Sequence, residues 1–325
     1  LGLAIAFTVS VRAGGFILFA YLALGLFMFL FWKPFYLKVV STKPVLARLL
    51  GQGAVIVFIG YFAGLLFWPY ALQDVFTHPL ESLQVMEHYK VSIRQIFEGE
   101  LIWSSRLPWN YLPKWILIST PEFVLLGLLL FLVSAIYYLI QKNNTTGNHF
   151  FIGFLLLTFL FPLVYVVAID SNLYSGIRQM MFTLPLLGIL SAIGFMNIVK
   201  WISEKNRKLV YPFVGIFVLL ALLPLKHQAE TFPVGYVYFN SISGGNKNAW
   251  SNYEYDYYFH GIKEPAKYLT RLAGSEKVTV AMNNNLTNYF QNSQNIEIVY
   301  SRYLERSSKN WDYAIFGVNY LHPFL

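Results

Sequence analysis

From Trp115 to Ile140 the chain runs through apolar side chains with one acid, Glu122, and no base. A stretch of that length can cross the ~30 Å hydrocarbon core of a bilayer, which takes about 20 apolar residues as a helix. In lipid every backbone polar group must be satisfied within the segment, so helix is the form such runs adopt. The pattern returns at residues 16–32, 49–70, 150–169, 180–202 and 209–225, and residues 1–11 give the end of one more span. With 56% hydrophobic and 12% charged residues, the chain is excluded from ordinary soluble globules, in which about a quarter of residues are charged. The fold expected is mainly α, with a polytopic helical membrane domain over residues 1–225 and a small extracytoplasmic α/β region over residues 226–325.

Charge in the short loops assigns the sides. Loop 33–48 carries Lys33, Lys38, Lys43 and Arg48 without an acid, and the loop after residue 202 sets Lys205, Arg207 and Lys208 against Glu204. Such basic loops mark the cytoplasmic face, and Gln141–His149 falls on the same side. Threaded this way, the Arg12 turn, segment 71–113, loop Asp170–Gln179 and the region from Lys226 share the opposite face. The net charge of +8 then belongs to topology and argues against a nucleic-acid partner. Trp68, Pro69 and Tyr70 form an interfacial belt. Leu80, Leu83, Val85, Met86 and Tyr89 recur near helical spacing, which predicts an amphipathic helix lying in the interface. Beyond Lys226, Ile262–Leu272 is expected as a helix, and Lys277–Ala281 and Asp312–Gly317 as strands.

Several chemistries drop out. There is no cysteine, hence no disulfide, thiolate metal site or cysteine nucleophile. The six histidines lack ligand spacing, and no HExxH, P-loop, GxSxG or dinucleotide fingerprint occurs. No metal or cofactor is expected. No internal repeat of the secondary-transporter kind is visible. The opening Leu1-Gly2-Leu3-Ala4 lies inside an apolar run without a charged n-region, so it is not a signal peptide, and further spans are expected upstream.

Four polar blocks and one lone acid can carry chemistry. Arg12 precedes Gly14-Gly15, where it is either a phosphate clamp, through bidentate guanidinium pairing, or a snorkelling interfacial residue. Tyr174, Arg178 and Gln179 stand at the mouth of a helix, whose positive end suits an anionic head group; a capped interfacial loop explains them equally. Leu107 to Trp115 packs prolines and aromatics before a span, as an aromatic belt or as a roof of Trp109 and Tyr111 over a substrate, with Lys114 meeting phosphate. Glu122 is a lone acid in an apolar helix, functional or bonded to the preceding Ser119-Thr120 turn. The aromatic stretches 235–240 and 253–261, with Asp256 among them, suit carbohydrate or simply pack a small domain against the membrane.

Together these blocks resemble the polyprenyl-phosphate-sugar-dependent glycosyltransferases of bacteria, membrane enzymes of the GT-C fold class related to protein O-mannosyltransferases and lipid A aminoarabinose transferases. The resemblance lies in Ser10-Val11-Arg12-Ala13-Gly14-Gly15, in Leu107-Pro108-Trp109-Asn110-Tyr111-Leu112-Pro113-Lys114-Trp115 and in Leu173-Tyr174-Ser175-Gly176-Ile177-Arg178-Gln179. It continues through Tyr236-Val237-Tyr238-Phe239-Asn240 to Tyr255-Asp256-Tyr257-Tyr258-Phe259-His260-Gly261. It implies transfer of a sugar from a polyprenyl-phosphate donor to a lipid, glycan or protein acceptor, within a bacterial inner membrane and among its lipids. Arg12, Arg178 and Lys114 would then bind the donor phosphate, and Trp109, Tyr111, Tyr174, Gln179 and Asp256 the substrate. The family's catalytic carboxylate lies in an early extracytoplasmic loop, so the catalytic residue is expected N-terminal to this chain. Relatives often carry histidine where this chain has Gln179, which leaves a phosphate role but no proton-transfer role there. A transporter or flippase of an anionic or lipid-linked substrate, and a non-catalytic glycan-binding scaffold, are the alternative readings.

Overall fold

A computed structural model describes residues 1–31, 43–87, 92–140, 146–284, 287–302 and 305–317. Trp32, Lys33, Pro34, Lys38, Tyr89 and the first part of the Gln141–His149 loop lie outside the described residues. The helices are α1 (Gly2–Val11), α2 (Ile17–Phe31), α3 (Lys43–Leu65), α4 (Pro69–Gln73), α5 (Thr77–Glu87), α6 (Tyr111–Ser119), α7 (Glu122–Ile140), α8 (Thr146–Ala168), α9 (Leu184–Asn206), α10 (Val210–Thr231), α11 (Gly245–Ala249) and α12 (Lys263–Ala273). The strands are β1 (Arg94–Phe97), β2 (Glu100–Trp103), β3 (Val278–Met282), β4 (Ile296–Tyr300) and β5 (Tyr313–Ile315). The protein is mainly helical. Among the described residues three helical stretches are long and apolar enough to cross a membrane, Val45–Leu65, Phe150–Ala168 and Arg178–Thr231.

The chain divides into two compact units, the first being residues 1–91, 130–172 and 182–194. Here α1 packs along α3 through small residues. A Cβ on Gly60 would stand 3.0 Å from Ile5 Cγ2, and one on Gly64 3.0 Å from Val9 Cβ. Close backbone approach at such small-xxx-small positions gives the two helices van der Waals contact along their length. Between α2 and α8 the Tyr21 hydroxyl donates to the Thr158 carbonyl at 2.8 Å. A helix, α5, is present where an amphipathic one was expected, and α3 begins six residues before the expected edge of its span.

The second unit comprises residues 92–129, 173–181 and 195–325. Its β1–β2 hairpin turns on Glu98 and Gly99, both with positive φ (53° and 80°), the backbone of a tight two-residue hairpin loop. Residues 111–140 do not form the single straight span expected for 115–140. They break between Ser119 and Glu122, and α6 meets α7 at 116°. Pro121 is the cause: it offers no N–H to α6 and forces Thr120 out of helical geometry, to φ −90°, ψ 133°. The carbonyls freed at the break are taken by Asn240. Its Nδ2 donates to Leu117 O (2.6 Å) and Thr120 O (2.8 Å), and its backbone N–H donates to Ile118 O (2.9 Å). Glu122 completes the clamp, accepting from the Tyr238 hydroxyl (2.9 Å) and the Ser241 N–H (2.5 Å) rather than bonding the Ser119-Thr120 turn.

Stretch Arg178–Thr231 spans 54 residues, which as one straight helix would reach roughly 80 Å. It folds back instead. Asn206 leaves helical geometry, and its side chain accepts from the Lys208 N–H. Phe195 of α9 then packs 5.6 Å from Phe213 and 4.5 Å from Phe217 of α10. The helix α10 outlasts the hydropathy and ends at Thr231, because the polar residues after 225 keep helical bonds, with Lys226 and Glu230 paired one turn apart. In the C-terminal region, α12 buries Ala266, Leu269 and Ala273 beside Val278, Val280 and Met282 of β3. The sheet is parallel with order β4-β3-β5. The expected helix and two strands are there; β4 and the β1–β2 hairpin are additional.

Candidate functional site

The loop from Leu173 to Arg178 is fixed from below. The Leu173 carbonyl accepts from Gln95 Nε2 (3.0 Å), and Gln95 Oε1 accepts from the Tyr111 hydroxyl (2.8 Å). Ser175 and Gly176 both take positive φ (59° and 64°), and a Cβ on Gly176 would lie 3.2 Å from the Trp115 ring. Only glycine fits a left-handed turn pressed on an indole face. The turn releases Arg178 at the start of a 3-10 segment, Arg178–Thr183. Its half-buried guanidinium carbon stands 5.5 Å from the ring centre of Tyr174, 5.8 Å from Tyr257 and 5.3 Å from Tyr258. Ring quadrupoles at these separations hold a cation without neutralising it. Among the described residues the Arg178 side chain makes no hydrogen bond and no ion pair.

The second arm of the site is set by the hairpin. Tyr253 bridges Phe97 in antiparallel fashion, Gly99 N–H donates to Asn252 O (2.9 Å) and Glu254 N–H donates to Ile96 O (3.1 Å). Beneath it, Trp115 packs on Phe239 and Tyr253, both at 5.6 Å. In this extended stretch alternate side chains point to opposite sides, so Tyr253 enters the aromatic cluster and Glu254 turns toward the Ser175 loop. Glu254 is only 6% exposed. The Ser175 N–H bonds its carboxyl, while its Oε2 has no hydrogen-bond partner. Burial pushes this carboxyl up to about 7, against the opposing pull of the Ser175 N–H and the Arg178 charge. The neighbouring Tyr257 phenol is likewise pushed up to about 12 by burial.

Asp256 is occupied structurally. It accepts from the Tyr236 hydroxyl (2.5 Å), His260 N–H (2.9 Å) and Gly261 N–H (2.7 Å), and so shapes the turn into α12. Of its two carboxylate oxygens, Oδ1 accepts two of these bonds and Oδ2 one. Tyr111 is 2% exposed, within the core, and its hydroxyl donates to Gln95 Oε1. Lys114 is paired with Glu98 at 2.9 Å, which offsets the charge expected to meet phosphate. Trp109 is 75% exposed ahead of α6. Gln179 is half-buried, with an Oε1 that is buried and unpartnered. Thus Tyr174 and Arg178 come together with Tyr257, Tyr258 and Glu254. Arg12 belongs to the first unit, exposed where α1 ends; there the close approach of Gly15 to the Thr8–Val9 backbone serves the chain's own turn. Sequence reasoning passed over Glu254, although the period-2 reading of Tyr253-Glu254-Tyr255-Asp256 would have separated it from the tyrosines.

Among the described residues no three His, Asp or Glu side chains are grouped to hold a metal. The chain matches no protein-family model, no curated protein and no solved structure.

Proposed function

We propose that this protein is a membrane glycosyltransferase that moves a sugar from a polyprenyl-phosphate carrier to an acceptor on the extracytoplasmic face. The observation that carries this reading is Arg178, a cation held among three tyrosine rings with no carboxylate paired to it among the described residues. Displacing a prenyl phosphate from an anomeric carbon builds negative charge on the leaving phosphate oxygen. A fixed cation beside that oxygen stabilises the transition state more than the ground state. The helices long and apolar enough to span a membrane suit a donor whose tail stays in lipid. Of the cations expected at the phosphate, Arg178 is retained; Lys114 is withdrawn because of its Glu98 partner.

The test uses the full-length protein in nanodiscs with radiolabelled polyprenyl-phosphate sugars, following sugar release from lipid. Arg178→Ala is expected to lower release by about 100-fold or more, the scale of losing one transition-state charge contact, while membrane insertion is kept. Unchanged release by the variant sinks the phosphate role. Flux of an intact lipid-linked substrate, without release, would replace the enzyme by a transporter.

A further inference from the structure

Two unsatisfied groups flank one residue of the site. The Ser175 N–H bonds the Glu254 carboxyl, and the Ser175 carbonyl accepts from the Arg178 N–H at 3.3 Å. On one side stands a guanidinium with no hydrogen bond among the described residues; on the other, a carboxyl oxygen, Oε2, that is buried without a partner. A buried polar group left unpaired is costly, so each one in a native structure calls for an explanation. Asp256, two residues on from Glu254, already accepts three hydrogen bonds.

We propose that Arg178 and Glu254 take a single ligand jointly, Arg178 its phosphoryl oxygens and Glu254 Oε2 a hydrogen bond from a hydroxyl next to the phosphate. The ligand class is then a phosphoester carrying a neighbouring hydroxyl, as in a glycosyl phosphate, and not a bare prenyl phosphate. This rests on the donor-phosphate reading of Arg178 and adds a residue that recognises the sugar. Glu254 is held by its backbone bond to Ile96, so its side chain can be changed while the chain path is kept.

Binding to the full-length protein in nanodiscs would be measured for three probes: a short-chain prenyl phosphate, the same prenyl phosphate bearing a hexose, and soluble hexose 1-phosphate. The wild type is expected to bind the hexose-bearing prenyl probe at least ~10-fold more tightly than the bare one, a difference worth ~1.4 kcal/mol. Glu254→Gln, which keeps an acceptor for Ser175 but turns the free oxygen into a donor, should cut that preference severalfold. Glu254→Met should abolish it, and Arg178→Ala should weaken every probe. Soluble hexose 1-phosphate matching the lipid-linked probe would assign the source as a free sugar phosphate. A preference that survives both Glu254 variants, or none in the wild type, overturns the joint site alone. No binding of any probe overturns it together with the donor reading.

Discussion

Exchanging Glu254 for glutamine removes a buried proton-binding site and leaves its shape. The carboxyl sits at about 7 in the fold against an ordinary 4.5. Each unit of such a gap is worth ~1.4 kcal/mol, so ionised Glu254 burdens the folded state by on the order of 3 kcal/mol. The sign follows from where protons sit. Below about 4.5 both states are protonated and nothing is lost. Between 4.5 and about 7 the unfolded chain releases its proton while the fold keeps it, so stability falls as pH rises. Above about 7 the loss is complete and constant. Glu254→Gln does not titrate, and its amide oxygen can still accept from Ser175. The variant is therefore expected to match the wild type near pH 4.5 and to exceed it by about 3 kcal/mol at pH 8. Unfolding midpoints in nanodiscs, recorded for both proteins from pH 4.5 to 8, test this. A difference that stays flat with pH, or one that moves against the variant at alkaline pH, would refute a desolvated carboxyl at this position.

Three further substitutions probe the surroundings. Asn240→Ala strands the Leu117 and Thr120 carbonyls at the α6–α7 break and should cost roughly 2–4 kcal/mol in unfolding measurements, at ~1–3 kcal/mol per buried unpaired group. Gly176→Ala must place a methyl 3.2 Å from the Trp115 ring at φ 64°; a loss of about 1–3 kcal/mol and weaker prenyl phosphate binding are expected, and wild-type values for both would discount the turn. Lys114→Met breaks a partly exposed pair with Glu98, a contact of ~0–1 kcal/mol. Probe affinity should stay within about twofold, since the paired ammonium is not assigned to the ligand.

The apolar runs were legible because length and hydropathy act through a solvent that admits few backbone forms. Residues 150–169 and the hairpin about Asn206 follow from them directly. What hydropathy cannot register is a break: Ser119-Thr120-Pro121 is only mildly polar, yet proline geometry there turns the chain by 116°. The β1–β2 hairpin escaped notice because its turn is Glu98-Gly99 and not the Asn-Gly or Asp-Gly that most readily signals one. At the site, Arg178 and Tyr174 were legible as a cation and a ring close in sequence. Tyr257, Tyr258 and Glu254 reach them through the pairing of the β1–β2 hairpin with residues 252–254 and through Tyr236, contacts that no local pattern encodes.

The bend between α6 and α7 also sets a schedule for synthesis. Its exposed carbonyls leave the ribosome 120 residues before Asn240, which caps them. At ~5–20 residues per second the two meet only after about 6 to 24 s. Throughout that interval the Thr120–Pro121 corner depends on water for its hydrogen bonds. The corner closes when residues 238–241 arrive, so a chain stalled short of them holds a hydrated elbow that the finished protein does not have.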